Sequence, residues 1–229
     1  MTSSRTAARV YRGANNEQRT AERRVRLLAA AIHCFGTYGY HQCTLKMLCA
    51  EAGLTERYFY ESFANFDDIL CCAYEDAADD ITGQIIAKVS RAAPNPHARM
   101  RAALDCYLRL ISADKARARL LLIEIEGASE RANATYRLRL DISTDLIEQQ
   151  ICYGLPAKPA NGLSPRLLCS AMLGAIYHMA KNWALADFKP SRAALLRNLH
   201  AIAMASIALW QSPVPDIALS STPTLTRKK

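Results

Sequence analysis

The punctuation of residues 39–63 constrains this chain more than any other feature. Gly39 is a natural stop for the helix before it, and Thr44 supplies a capping oxygen for a new one. Leu45, Leu48, Cys49 and Ala52 then share one face at helical spacing. Gly53 accepts a left-handed backbone, Leu54 can plug the resulting corner, and Thr55 caps a further helix over residues 56–61, with Phe59 and Phe63 turned inward. Helices this short are unstable alone and form only when packed on a third element. Two of them around a Gly corner make a helix-turn-helix, although tight corners of that shape also occur in bundles that bind no nucleic acid.

The third element precedes them. From Ala21, the residues Val25, Leu28, Ala29, Ile32 and Phe35 recur at helical spacing and are expected to face inward, with Arg23, Arg24 and Arg26 gathered at the first turns. Residues 1–19 lack periodicity and read as a flexible basic arm. Beyond the corner, Asn65, Asp67 and Asp68 open a long helix over residues 67–91 that ends before Pro94-Asn95-Pro96. Helices are expected at 97–114, 116–126 and 129–153, the last with Leu138, Ile142, Leu146 and Ile147 inward. A loop follows at 154–163, then two long apolar helices at 165–186 and 191–211. Regular Val/Ile/Thr alternation is missing, so the expected fold class is all-α. The domain plan is an arm at 1–19, a helix-turn-helix domain at 20–66, a body at 67–212 and a disordered tail at 213–229.

Charge sharpens the functional reading. The net charge is +8, and seven Arg against two Glu fall within residues 1–31, whereas residues 67–226 hold 17 basic and 16 acidic side chains. A basic front on a neutral body suits a polyanion, though a solvated arm gives the same count. The eight cysteines form no CxxC pair and no metal-ligand spacing, so they read as reduced core thiols; adjacent Cys71 and Cys72 point apart on a helix, which disfavours a redox pair. No metal or cofactor is expected. The five histidines are scattered, with no HExxH, nucleophile elbow or phosphate loop, so an enzyme is not expected. No apolar run was expected to reach the ~20 residues of a membrane span, which points to a cytoplasmic protein.

The stretch Gly39-Tyr40, Cys43-Thr44-Leu45, Leu48-Cys49, Glu51-Ala52-Gly53-Leu54-Thr55, Phe59-Tyr60 and Phe63, preceded by Arg26-Leu27-Leu28, Ala29-Ala30-Ala31 and Phe35, resembles the N-terminal signature of TetR-family regulators. The resemblance is strong over about residues 21–70; beyond them only the helical layout agrees. It implies a dimer whose third helices enter adjacent major grooves of a palindromic double-stranded DNA operator. Glu56, Arg57 and Tyr58 would then face base edges, and Thr44, Tyr60 and Ser62 would bind phosphates, with Lys46 and Thr55 beside them. Arg57 has the fork for guanine and Glu56 can accept from cytosine N4. Two positions depart from the family pattern: Phe66 stands where Lys is common, and Cys43 replaces the first of a hydroxyl pair.

The resemblance also implies a ligand cavity in the body and a dimer bundle made by the last two long helices. Candidate cavity residues are Tyr74, Tyr107, Tyr136, Met172, Tyr177 and Trp183, with Glu124 and His178 as polar anchors. The expected function is a transcriptional repressor released from its operator by a largely apolar small molecule. The competing class is a non-catalytic helical adaptor that binds protein or membrane through the basic arm.

Overall fold

The computed structural model describes residues 3–157, 159 and 162–211, with side chains from Glu17 onward. The elements are α1 Ser3–Tyr38, a 3-10 turn Tyr40–Gln42, α2 Leu45–Ala52, α3 Glu56–Ser62, α4 Phe66–Val89, α5 Pro96–Ala113, α6 Lys115–Arg119, α7 Glu130–Leu146, α8 Pro165–Leu185 and α9 Arg192–Gln211. Among the described residues there is no strand. Two π turns, Leu120–Glu124 and Ile147–Ile151, extend α6 and α7, so the helices expected at 116–126 and 129–153 each change pitch part-way. The tail expected at 213–229 lies outside the described residues.

Helix α1 begins at Ser3, so the backbone of residues 3–19 is helical where an irregular arm was expected. The segment holds four Arg and three Ala and has no proline, so continuing the helix costs little beyond Gly13 and the pair Asn15-Asn16. The buried face of α1 includes the expected Ile32 and Phe35, with Leu28 half-buried, but is rotated from the expected one. Leu27, Ala30, Ala31, Cys34 and Phe35 are inside, while Val25 is 66% exposed and Ala29 faces solvent. The face holding Leu27 keeps i, i+3, i+4 spacing just as well, and it brings Gly36 against α6. A Cβ on Gly36 would stand 2.1 Å from the Ala116 carbonyl oxygen, so the two backbones cross without room for any side chain.

A reciprocal cap starts α4. Asn65 Oδ1 accepts from the Asp68 N–H at 2.8 Å, and Asp68 Oδ2 accepts from the Ala64 N–H at 2.9 Å. The helix runs 24 residues, roughly 36 Å, and buries Ile69, Leu70, Ala73, Tyr74, Ala77 and Ile81 on one stripe. Asn95 and Ser164 cap α5 and α8 by accepting the Ala98 and Leu167 N–H groups, each followed by a proline whose missing N–H costs nothing at a helix start. One continuous apolar core joins Leu27 and Phe35 of α1 to Trp183 of α8 and Trp210 of α9.

On α7 the expected inward residues Leu138 and Ile142 are exposed, at 59% and 39%, and Leu146 and Ile147 are half-buried. Ala132 and Thr144 take the inner positions, where the Thr144 hydroxyl donates to the Leu140 carbonyl at 2.9 Å and so enters the core satisfied. Helix α9 is, by length and composition, apolar enough to cross a membrane, which corrects the expectation that no run approaches a span. Its leucines, isoleucines and alanines together supply the hydropathy. The inner stripe Leu195, Leu199, Ala203, Ile207 and Trp210 packs within the body against α5 and α8. All eight cysteines are free thiols, seven of them buried. Cys71 lies in the core while the half-buried Cys72 meets Arg24 Nη2 at 3.4 Å, so the two diverge as their helical spacing requires.

Candidate nucleic-acid interface and ligand cavity

The corner between α2 and α3 is built by local chemistry. Thr44 Oγ1 accepts from the Met47 N–H at 3.2 Å and caps α2. Gly53, at φ 60 and ψ 39, ends α2, and the Gly53 and Leu54 N–H groups close on the Ala50 and Cys49 carbonyls at 3.0 and 2.9 Å. Thr55 occupies the N-cap of α3, but its side chain makes no capping bond. Its hydroxyl is thus not consumed by the helix it begins. Phe59 and Phe63 are 1% and 2% exposed and anchor α3 to the core.

Arginines of α1 hold this unit in place. Arg26 Nη2 donates to the Ala52 carbonyl at 2.6 Å, where the negative end of the α2 dipole favours a cation. Arg24 lies over the Phe63 ring at 4.4 Å and donates to the Ser62 carbonyl at 3.0 Å. Arg23 lies over the Tyr58 ring at 4.5 Å and stands 3.7 Å from Glu61. The cluster that sequence reading assigned to a polyanion therefore has intramolecular partners. Only the carbonyls at the ends of α2 and α3 could have signalled this, and they carry no sequence signature.

The outer face of α3 presents Glu56, Arg57 and Tyr60, with Lys46 and Thr44 exposed on α2 beside it. The Arg57 side chain is 83% exposed and, among the described residues, paired only to Glu61, one turn along, at 3.2 Å. Tyr60 is 62% exposed. Of the base-facing trio, Tyr58 is set apart, since it is half-buried beneath Arg23. Ser62 is half-buried at the end of α3. Thr44, Lys46, Thr55, Glu56, Arg57 and Tyr60 are thus all exposed, whereas Tyr58 and Ser62 are half-buried.

Phe66, where a lysine was expected, packs edge-on to Phe35 at 5.2 Å and lies 5.7 Å from Tyr40. The aromatic replaces a cation with core packing at the joint of α1 and α4. Tyr40 hydrogen-bonds Asp67 through its hydroxyl, and burial chiefly, with that carboxylate second, pushes its ionisation far above the ordinary tyrosine range. Cys43 is buried, and its thiol is likewise pushed up to about 12, mostly by burial. It offers no hydroxyl-like contact to a phosphate.

In the body, an apolar cleft enclosing about 130 Å³ opens between α4, α5, α7 and α8; with its solvent-connected mouth the empty space is about 960 Å³. Its walls are mainly Ile, Leu, Val and Met side chains, interrupted by Thr82, Tyr107, Arg139, Ser143, Gln150 and Tyr177. Two of the eight expected cavity residues, Tyr107 and Tyr177, line it. The others lie elsewhere. Tyr74 is 1% exposed in the core, with Tyr136 at 6.5 Å. Met172 is packed between helices. Trp183 Nε1 donates to the Pro190 carbonyl at 2.6 Å. His178 is exposed and bonded to Asn182 at 3.0 Å. Glu124 turns toward the head instead, accepting from Arg119 Nε at 2.7 Å and from the Tyr40 N–H at 2.8 Å. The wall residues missed by sequence reading, Thr82, Arg139, Ser143 and Gln150, are polar residues on helices and carry no local signal of facing a cleft. Among the described residues no group of acidic, His or Cys side chains is arranged to hold a metal.

Residues 27–70 match the sequence model described as "Bacterial regulatory proteins, tetR family". No curated protein sequence matches the chain. Among solved structures, the fold is similar to that of the fatty acid degradation regulator FadR from Bacillus halodurans, with TM-score 0.71, 18% identity and coverage of 80% of this chain and 94% of that one. FadR from Bacillus subtilis, solved in complex with stearoyl-CoA, gives 0.64 at 18% identity, covering 83% and 99%. A TetR-family regulator from Syntrophomonas wolfei gives 0.69 at 15% identity, covering 82% and 96%.

Proposed function

We propose that this chain, a member of the tetR family of bacterial regulatory proteins and so a DNA-binding transcriptional regulator, is a repressor that a largely apolar small molecule releases from a palindromic operator. The observation that carries the DNA reading is α3 itself: its inner residues are locked by Phe59, Phe63 and the α1 arginines, while Thr55, Glu56, Arg57 and Tyr60 remain outward. A rigid helix with unspent donors is what major-groove reading requires.

The ligand reading rests on the cleft. Its enclosed volume approaches that of an apolar cavity of about 150 Å³ known to accept benzene, so a ring or short chain fits without rearrangement. The hydrocarbon part of a molecule such as the stearoyl-CoA held by the Bacillus subtilis neighbour suits the same walls, provided the chain extends through the mouth. Because α4 forms one wall and also carries the head through Phe66 and Asp67, a ligand that tilts α4 moves α3.

The homodimer is assigned to α8 and α9, which leave Leu167, Ala171, Gly174, Ala201, Ile202, Ala205 and Leu209 exposed. Small and apolar residues on two adjacent helices permit close packing against a second copy. Operator titration at several salt concentrations tests the proposal. Affinity should fall steeply with salt, and protection should cover two half-sites about one turn, ~34 Å, apart. Weak, salt-insensitive binding with no discrete footprint would remove the operator reading, and a ligand that binds equally well with and without operator would remove the release mechanism.

A further inference from the structure

Tyr107 of α5 is buried in the wall of the cleft, and its hydroxyl has no hydrogen-bond partner among the described residues. The neighbouring Tyr177, whose ring centroid is 6.1 Å away, is differently placed, because its hydroxyl meets Ser143. The cationic group on the wall, Arg139, is paired to Asp79 of α4. Among the wall residues, the Tyr107 hydroxyl is thus a buried neutral donor without an acceptor, while the charge of Arg139 is paired. A hydroxyl in that state is costly, and an incoming acceptor removes the cost.

We infer that Tyr107 Oη reads a neutral oxygen acceptor, such as a ketone, ester or thioester carbonyl, on the apolar molecule that fills this cleft. The inference rests on the reading of the cleft as the ligand site and adds the chemical class that it selects. Burial keeps the Tyr107 phenol protonated at any working pH, so it serves as a donor throughout. A pure hydrocarbon fills the same space but leaves the hydroxyl orphaned. A carboxylate must shed its hydration among Ile and Leu side chains, and the guanidinium in the wall, Arg139, is already paired to Asp79. Both are disfavoured relative to a neutral carbonyl compound of equal size.

Three probes of similar size separate these cases: acetophenone, which carries a carbonyl; ethylbenzene, which lacks an acceptor; and benzoate, which is charged. Ligand-observed NMR titrations are run on the full chain and on its Tyr107→Phe variant, with melting curves of both proteins. In the parent, acetophenone is expected to bind best and benzoate worst. In Tyr107→Phe, the preference for acetophenone over ethylbenzene should fall about tenfold, while ethylbenzene binds at least as well. The variant should melt at or above the parent temperature, since only an unpaired group is removed.

An unchanged acetophenone-to-ethylbenzene ratio, with both probes bound, overturns the inference and leaves the cleft as a ligand site. A variant that melts several degrees below the parent also overturns it, because the hydroxyl would then have had a partner. Tighter binding of benzoate than of acetophenone refutes the neutral class. Failure of all three probes to bind either protein refutes both the inference and the ligand reading beneath it.

Discussion

Arg131 of α7 donates from Nη2 to Asp68 Oδ1 at 2.6 Å, so the first turn of α4 is held by the body and not only by the head that precedes it. The same carboxylate accepts the Ala64 N–H with its other oxygen. Asp68 thus closes the cap of α4 and ties α4 to α7.

This double role gives Asp68 a lowered pKa, caused first by the Ala64 N–H and then by Arg131. A carboxyl whose folded pKa lies below its unfolded value of about 3.9 stabilises the protein above that value and loses the contribution as pH falls through the folded pKa. Asp68→Asn is expected to cost about 1 kcal/mol at pH 7, a figure kept small because Arg131 is half-exposed. Urea unfolding at pH 7 and below pH 3 checks the sign. The gap between parent and variant should shrink in acid, and a gap that widens would disprove the linkage.

Arg57→Ala should weaken operator binding by about 1–3 kcal/mol and relax preference at one base pair. The fold should be unaffected, because the side chain is 83% exposed and pairs with Glu61 on its own helix. Tyr58→Ala is the contrasting case. Its ring lies under Arg23, so it should lower the melting temperature of the head as well as DNA affinity. Base-by-base competition measurements on both variants separate reading from support, and identical profiles for Arg57→Ala and the parent would dismiss α3 as the reading helix.

Much of the head was legible because its signals are local. Thr44, Gly53 and Asn65 act through caps and a left-handed turn that depend on a few neighbouring residues, and each sits where the sequence put it. The phase of α1 was not legible, since Ala29, Ala30 and Ala31 are equally small on every face and only packing against α2, α4 and α6 selects Leu27 over Val25. On α7 the apolar residues Leu138 and Ile142 misled for a tertiary reason: the inward side borders a cleft, where Arg139 and Ser143 are tolerated. Glu124 was expected as a pocket anchor only through the cavity that the family resemblance implies. Its partners, Arg119 and the Tyr40 N–H, are set by a π turn that no periodicity announces.

Gly36 provides a test of the crossing between α1 and α6. A methyl group there would meet the Ala116 carbonyl oxygen at 2.1 Å and the α-carbon at 2.5 Å, and both are backbone atoms that cannot rotate away. Gly36→Ala gains helix propensity of about 1 kcal/mol, yet overpacking of this kind costs about 1–3 kcal/mol. The clash should win because the whole of α6 must move. A lowered melting temperature is expected, and a variant more stable than the parent would show that the two helices do not cross this closely.

Gly174 separates association from folding. It lies on the exposed side of α8 with nothing within 4 Å of an added Cβ, in line with exposed Ala171 and near the exposed alanines of α9. Within a protomer, replacing it improves the helix by up to about 1 kcal/mol. In a dimer built on α8 and α9, the same position lies between closely packed backbones, where a long charged side chain has no space and no partner. Gly174→Arg should therefore yield a protomer at least as resistant to urea as the parent in the dissociated state, but monomeric in sedimentation at micromolar concentration. Its operator affinity should fall sharply, since a lone α3 contacts one half-site and loses the benefit of the second. A variant that remains dimeric would place the interface on another face and disconnect α8 from the spacing of the two reading heads.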